Sequence, residues 1–522
     1  WRRDIKGDPN FARLKRRRRG VTILWADNDP DFGKLREEMR EASLVIDALL
    51  GTGAARPIEG RLQRLMQVVG EEIAARRRPQ PRPPQPPGLQ PPQYPLAQAL
   101  VLVRSPGQPF GDEFEDEDCE EYEFGRDDYQ GEPYQPATSA PSYAQPTFLT
   151  MPVLAVDCPS GLNCDTGELD PVAIPATFTV TFACPKWGQV QFPGAGACGL
   201  LAVVDIGIPE ELGQSLPVEL VDKEAVAAWL PERPADAHKG IFGKVMVVGG
   251  SITYSGAPIL SAAAASRAGA GLVTAAVPLL VHAASAGNWP EFTWLPLPAP
   301  DGVLHRDGVA AAVARLRDYN AALIGPGLTT EPHARDFLLG LLDALPGALD
   351  GEAWQGRLIF DADALNVLAG EADWPRRIPA GSVLTPHPGE MSRLTELSIE
   401  EVNARRILTA RHYAEQWGHV VLLKGPYTVV AHPDGRTAVL PFANAALAKA
   451  GSGDVLAGII LAMLGQGLGA FEAATLGAYT HALSGFMVGQ ALGAASVTAR
   501  DLAHTVSPAL QELQLARPMR PR

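Results

Sequence analysis

Short, unbroken apolar runs that end in a glycine or aspartate turn restrict the fold of this chain more than any other feature. Lys244-Val245-Met246-Val247-Val248 enters Gly249-Gly250-Ser251, and Ala321 to Ile324 enters Gly325-Pro326-Gly327. Leu358 to Asp361 and Val420 to Lys424 read the same way. Such runs suit strands buried on both faces. Helical patterns separate them: a small-residue helix over Pro258 to Ala270, and apolar helices over 454–464 and 471–490. Strands alternating with helices predict a doubly wound parallel sheet with helices on both faces.

The residues before about 222 carry a second version of the pattern. Ser43 to Asp47 and Pro152 to Asp157 are apolar runs ending in a carboxylate, Thr177 to Phe182 alternates like a strand, and Leu62, Leu65, Met66 and Val69 recur at helical spacing. The 522 residues allow two to four domains at roughly 150 residues each. The pattern predicts two α/β domains, 1–221 and 222–522. Between them in character lies an insert at about 79–147. Nine of the eighteen residues from Pro79 to Leu96 are proline, and Gly111 to Asp128 is dense in Asp and Glu. Too little apolar area remains there to offset ordering entropy, so the insert is expected to be disordered.

Charge and cysteine usage exclude several classes. A formal charge of −14 argues against a nucleic-acid binder, which needs a basic surface. No apolar run reaches the roughly 18 residues of a membrane span, and the first residues lack the apolar core of a secretion signal. Five cysteines, an odd number without a C-x-x-C pair, suggest neither a disulfide framework nor a zinc site, which points to a cytoplasmic enzyme. The chain opens on Trp1 rather than Met, as a processed or fragmentary start would.

In the second domain, polar groups follow several successive strands, where open α/β sheets place ligands. Gly451-Ser452-Gly453-Asp454 opens an apolar helix: the glycines let backbone N–H groups approach a phosphate, and a carboxylate beside that pocket can take a hydroxyl proton. Asp361-Ala362-Asp363-Ala364-Leu365-Asn366 suits phosphate-bound Mg²⁺ or hydroxyl binding, and Thr385-Pro386-His387-Pro388-Gly389-Glu390 and Lys424-Gly425-Pro426-Tyr427-Thr428 follow further strands. Together they describe a nucleotide-phosphate and substrate cleft.

These motifs, with His238-Lys239-Gly240 and Ser255-Gly256-Ala257, occur in the order of the ADP/ATP-dependent NAD(P)H-hydrate dehydratases, which the region resembles. The resemblance implies a ribokinase-like fold and repair of NAD(P)H hydrated on its nicotinamide ring (NAD(P)HX), with ADP or ATP as co-substrate and Mg²⁺ as cofactor. Position by position it implies that Ala257, Gly327, His387 and Asp454 contact the hydrate. Lys424, Gly425, Pro426, Tyr427, Thr428 and Gly453 would hold the nucleotide, with Asp454 as the catalytic base.

The first domain, through Asp47-Ala48-Leu49-Leu50-Gly51-Thr52-Gly53, Asp157-Cys158-Pro159-Ser160-Gly161 and Cys184-Pro185-Lys186-Trp187-Gly188, resembles the Rossmann-like NAD(P)H-hydrate epimerases, which interconvert the R and S hydrates. By that resemblance Asp47 and Ser160 ligate K⁺, and Gly51, Thr52, Gly53, Ala54, Ala55, Arg56, Pro57 and Asp157 contact substrate. Asp157 is then the catalytic acid/base, ahead of Lys186. The family's Asn-Asn-Gly-Gly-Asp-Gly loop has no counterpart in residues 1–46, where Arg13 and Lys15 to Arg19 form a basic run. The parallel sheet is therefore expected to be incomplete and this half to lack epimerase activity as it stands. The partner expected is the small-molecule hydrate, without nucleic acid or membrane, and a homo-oligomer is compatible with the resemblance. Two rival readings share the motifs: a ribokinase-like kinase for a vitamin or sugar hydroxyl, and a nucleotide-binding scaffold that recruits partners through the insert.

Overall fold

Ten strands make the larger sheet, and the composition of its central members explains their place. In a computed structural model, residues 24, 26–51, 57–76, 101–103, 151–209, 212–213, 216–348 and 357–517 are described. The larger sheet runs in the order β6 (Val218–Leu220), β15 (Thr437–Val439), β14 (Val429–Ala431), β13 (Val420–Leu423), β12 (Val383–Leu384), β11 (Leu358–Phe360), β10 (Ala321–Ile324), β7 (Lys244–Val248), β8 (Leu272–Pro278) and β9 (Thr293–Leu297). From β13 to β9 every pairing is parallel. Only β14 runs against its neighbours, in short hairpins that need no crossover helix.

Successive side chains on a strand point to opposite faces, so one run feeds two cores. Val245, Val247, Leu323, Ile359 and Leu422 meet the helices Gly256–Arg267, Ser452–Gly465, Ala470–Leu492 and Ala499–Leu515. Met246, Val248, Ile324, Phe360 and Leu423 meet Pro332–Ala348, Pro388–Thr395 and Arg406–Trp417 on the other face. The Ser452–Gly465 helix lies so close to Gly256–Arg267 that a Cβ on Gly458 would fall 2.1 Å from the Ser261 carbonyl oxygen. The small-residue composition of both helices thus sets their separation.

The register brings the reactive turns to one edge. Ile324 pairs with both Val248 and Phe360, Phe360 with Leu384, and Leu384 with Val421. Gly249, Gly325, Asp361 and Thr385 therefore leave the sheet side by side. The order also reverses there: the chain passes from β7 to β8 and β9, then returns to β10 on the other flank of β7. Such a reversal opens a crevice at the carboxyl ends of the strands.

The smaller sheet is wholly parallel, in the order β1 (Val45–Asp47), β3 (Val153–Val156), β4 (Phe178–Phe182), β5 (Leu200–Val204) and β2 (Val101–Val103). Two expectations need correction. The stretch 79–147 was expected to be disordered throughout, yet Val101–Val103 pairs with Ala202 to Val204 as an edge strand. The run Ala99-Leu100-Val101-Leu102-Val103 has the aliphatic content that the flanking proline and acidic stretches lack. Residues 79–100 and 104–147 lie outside the described residues, as do Arg13 and Lys15 to Arg19. The expected division at 221/222 also shifts, because Val218–Leu220 pairs with β15 and so belongs to the larger sheet. Among the described residues, no helix is long and apolar enough to cross a membrane.

Candidate functional site

The crevice between β7 and β10 is lined by backbone, because its turns leave no room for side chains. Gly325 has φ +127°, and a Cβ there would sit 2.0 Å from the Asp361 carbonyl oxygen. Gly327, at φ +66°, would meet the Tyr254 carbonyl oxygen at 2.5 Å and the Ala257 Cβ at 3.2 Å. Gly327 and Ala257, both expected to touch the hydrate, are therefore direct neighbours. Beside them the Asp363 carboxylate accepts from the Thr329 N–H (2.9 Å) and from Asn366 Nδ2 (3.3 Å).

At the ends of β11, β12 and β13 a charged cluster forms. Asp361 is 1% exposed and accepts from Thr385 Oγ1 and Lys424 Nζ, both at 2.8 Å. Lys424 Nζ also lies 3.5 Å from Glu390 Oε2. Burial opposes the lysine charge, but Asp361 and Glu390 outweigh it and hold its pKa above the ordinary value. Glu390 is itself buried, which raises its pKa to about 7 against the pull of Lys424.

His387 caps the Pro388–Thr395 helix. Its Nδ1 accepts from the Gly389 and Glu390 N–H groups at 3.0 and 3.3 Å, and the Glu390 carboxylate returns the bond to the His387 N–H at 2.8 Å. Burial, then the nearby Lys424 and Arg393 charges, lower its pKa to about 4, so the ring is neutral near pH 7.

Asp454 is the third residue of the Ser452–Gly465 helix, after Gly451 at φ 84°. A helix N-terminus favours a carboxylate charge. Here burial prevails, and Asp361 adds to it: the pKa rises to about 7, with Lys424 pulling the other way. Among the described residues, no hydrogen bond engages its carboxylate. It is thus an unoccupied base near neutrality, electrostatically coupled to the Asp361–Lys424–Glu390 cluster.

A cavity of about 760 Å³ adjoins this cluster, within the size range of small-molecule sites. Of the residues expected to bind nucleotide, Lys424, Gly425, Pro426, Thr428 and Gly453 line it, as does His387. Tyr427 does not. Its backbone, at φ 49°, turns the ring toward Phe192 while its N–H donates to the Phe442 carbonyl at 2.7 Å. Three further lining residues were given no role by the sequence reading, although Ser452 lies within the glycine motif. Asn444 Nδ2 is buried without a hydrogen-bond partner among the described residues, although its Oδ1 accepts from the Ala446 N–H. Ser452 Oγ lies 3.1 Å from His481 Nε2, and burial lowers the pKa of that imidazole to about 4. A histidine within the apolar 471–490 run was the available signal for the last pair; nothing marked Asn444 apart from its place before Gly451.

In the smaller sheet, Asp47 ends β1 and Ser160 follows β3, and the structure joins them. The Ser160 N–H donates to Asp47 Oδ2 at 2.7 Å and its hydroxyl to Oδ1 at 2.6 Å. The Leu50 N–H in turn donates to Ser160 Oγ. Asp157, at φ 68°, accepts from Lys186 Nζ at 2.6 Å, and Lys186 also reaches Thr181 Oγ1 at 2.6 Å. The expected acid/base and its weaker alternative are therefore one ion pair. Gly51 and Pro57 flank this edge; Thr52, Gly53, Ala54, Ala55 and Arg56 lie outside the described residues.

The family model described as NAD(P)H-hydrate dehydratase matches residues 245–508, and that described as YjeF-related protein N-terminus matches 130–188. The bifunctional NAD(P)H-hydrate repair enzyme of Moorella thermoacetica is 42% identical over 368 residues, covering 69% of this chain and 67% of its own length. That of Salinibacter ruber is 38% identical over 365 residues, covering 68% and 65%. The chain thus spans about two thirds of the length of these relatives. The crystal structure of an ADP/ATP-dependent NAD(P)H-hydrate dehydratase from Bacillus subtilis, co-crystallized with ATP/Mg²⁺, is 30% identical. It superposes on 57% of this chain and 100% of its own with a TM-score of 0.49.

Proposed function

The chain belongs to the NAD(P)H-hydrate dehydratase family, and from that premise we propose that it restores NAD(P)H from the S form of NAD(P)HX at the expense of ADP or ATP. A ring hydroxyl leaves poorly as hydroxide. Transfer of a phosphoryl group to it creates a good leaving group, and electrons from the ring nitrogen then expel phosphate and re-form the dihydropyridine. One observation carries the reading: Asp454, buried and half-ionised near pH 7, stands at a glycine-lined helix N-terminus beside Lys424. It takes the hydroxyl proton as the oxygen attacks. The Gly451 to Gly453 amides and the Lys424 ammonium face the charge of the moving phosphoryl group.

The hydrate lies against Gly327, Ala257 and His387. The neutral imidazole, its Nδ1 engaged by the helix cap, keeps Nε2 as the hydrogen-bearing nitrogen. The nucleotide fills the cavity along Lys424, Gly425, Pro426, Thr428 and Gly453, with Asn444 in its wall.

Among the described residues, no group of three or more His, Cys, Asp or Glu could hold a metal ion by itself. That suits Mg²⁺, which keeps several waters and is bound through one or two carboxylates and the nucleotide phosphates. Asp361 and Asp363 are the carboxylates that would hold it with the nucleotide, where it would screen phosphate charge.

K⁺ fits Asp47 and Ser160. Asp47 is 3% exposed and surrounded, among the described residues, by neutral donors alone, a buried charge that a monovalent cation would balance. At the same sheet edge Asp157, paired with Lys186 Nζ at 2.6 Å, is the acid/base we assign to interconversion of the R and S hydrates. The test is to incubate the purified chain with mixed hydrates, Mg²⁺ and either nucleotide. Return of NAD(P)H absorbance with free phosphate is expected, whereas accumulation of a stable phosphorylated product would instead support a small-molecule kinase.

A further inference from the structure

The nucleotide cavity is not walled by the larger sheet alone. Phe192, in the chain that connects β4 to β5 of the smaller sheet, is one of its lining residues. Two residues earlier, Val190 is 7% exposed and packs into the core of the larger sheet, with Trp187 partly buried against it, so the segment is anchored. Tyr427 marks the same junction: burial and then nearby Cys198 push its hydroxyl up to about 12.

The two phenyl rings in the cavity wall differ. Phe442 is engaged edge-on by Tyr479, with ring centroids 4.9 Å apart. Phe192 is 47% exposed, and its described ring contact is a loose, tilted approach to Tyr427 at 6.3 Å. A phenyl ring held by its neighbours in sequence but open on a face is placed to receive a flat ligand. The opposite chemistry, Lys424 with the Gly453 amide, takes anionic oxygens. Accepting that the cavity holds an adenine nucleotide, we propose that Phe192 is the stacking wall for its purine base. The smaller sheet then completes the nucleotide site of the larger one, and the two halves share it.

Calorimetric titration of the full chain with ADP and with inorganic tripolyphosphate tests this. Phe192→Ala should weaken ADP binding about 3- to 10-fold, the scale of one aromatic stack, and leave tripolyphosphate binding unchanged. Phe192→Trp should stay within about twofold of wild type for both, since a larger π-face serves the same role. Unchanged ADP affinity in Phe192→Ala overturns the inference while leaving the functional reading intact. Equal weakening of both ligands also overturns it, because a loss shared by a base-free ligand is structural. Wild-type chain that binds no ADP refutes the nucleotide reading, and the inference falls with it.

Discussion

Asp454→Asn should abolish turnover and yet make the nucleotide-free protein more stable at pH 8. The structure gives the reason. Burial, with Asp361 close by, raises the Asp454 pKa from 3.8 to about 7, so the folded state binds its proton more tightly than the unfolded chain does. Stability in the wild type therefore falls as pH rises from about 4 to about 7, and the loss is complete above 7. That rise in pKa corresponds to ~4 kcal/mol. The carboxylate keeps some solvent contact, so about 2–4 kcal/mol is the expected gain from the neutral, isosteric amide at pH 8. Near pH 4.5 the gain should shrink to about 1 kcal/mol, because the folded carboxyl is then protonated and the unfolded one, at 3.8, is only a little past the midpoint of losing its proton. Urea midpoints of both proteins at the two pH values read this directly. Turnover should fall by about 10²-fold or more, the usual contribution of a positioned base, with ADP affinity kept. Near-normal turnover, or an asparagine variant less stable than wild type at pH 8, would refute the reasoning.

The same carboxylate should shape the pH profile of the reaction. With a pKa of about 7, the base is lost to protonation as pH falls, so kcat should decline through an acid limb centred near pH 7; a flat profile from 5.5 to 8 contradicts this. Lys424→Met leaves Asp361, 1% exposed, without its cation and should destabilise the chain by ~3–5 kcal/mol, read as a lower melting temperature together with weaker ADP binding. An unchanged melting temperature would mean that the pair is dispensable. Gly458→Ala drives a Cβ to 2.1 Å from the Ser261 carbonyl and should cost about 1–3 kcal/mol as the two helices part, again read by thermal unfolding.

Much of the larger sheet was legible because its signal is local. A run such as Lys244 to Val248 followed by glycines states both a buried strand and its terminating turn, and the strand appears where those residues place it. The groups at the sheet edge were equally readable one turn at a time. Their linkage was not: that Lys424 lies between Asp361 and Glu390, 63 and 34 residues away, depends on strand order, which no local pattern encodes. Tyr427 was misplaced because a left-handed backbone at a non-glycine residue, imposed by tertiary contacts, turned it out of its loop's surface. Val101–Val103 was missed because flanking composition masked three aliphatic residues that gain their stability from a strand about a hundred residues later. His481 and Phe192 acquire meaning only from the cavity that gathers them.

In the proposed reaction the ring hydroxyl leaves as phosphate rather than as water. Hydrate carrying ¹⁸O at that hydroxyl, turned over by the purified chain with Mg²⁺ and ADP or ATP, tests it by mass spectrometry of the released phosphate. If the hydroxyl oxygen attacks phosphorus with Asp454 as base, one ¹⁸O should appear in each phosphate formed with each NAD(P)H. Unlabelled phosphate, with the isotope recovered in water, would contradict the account.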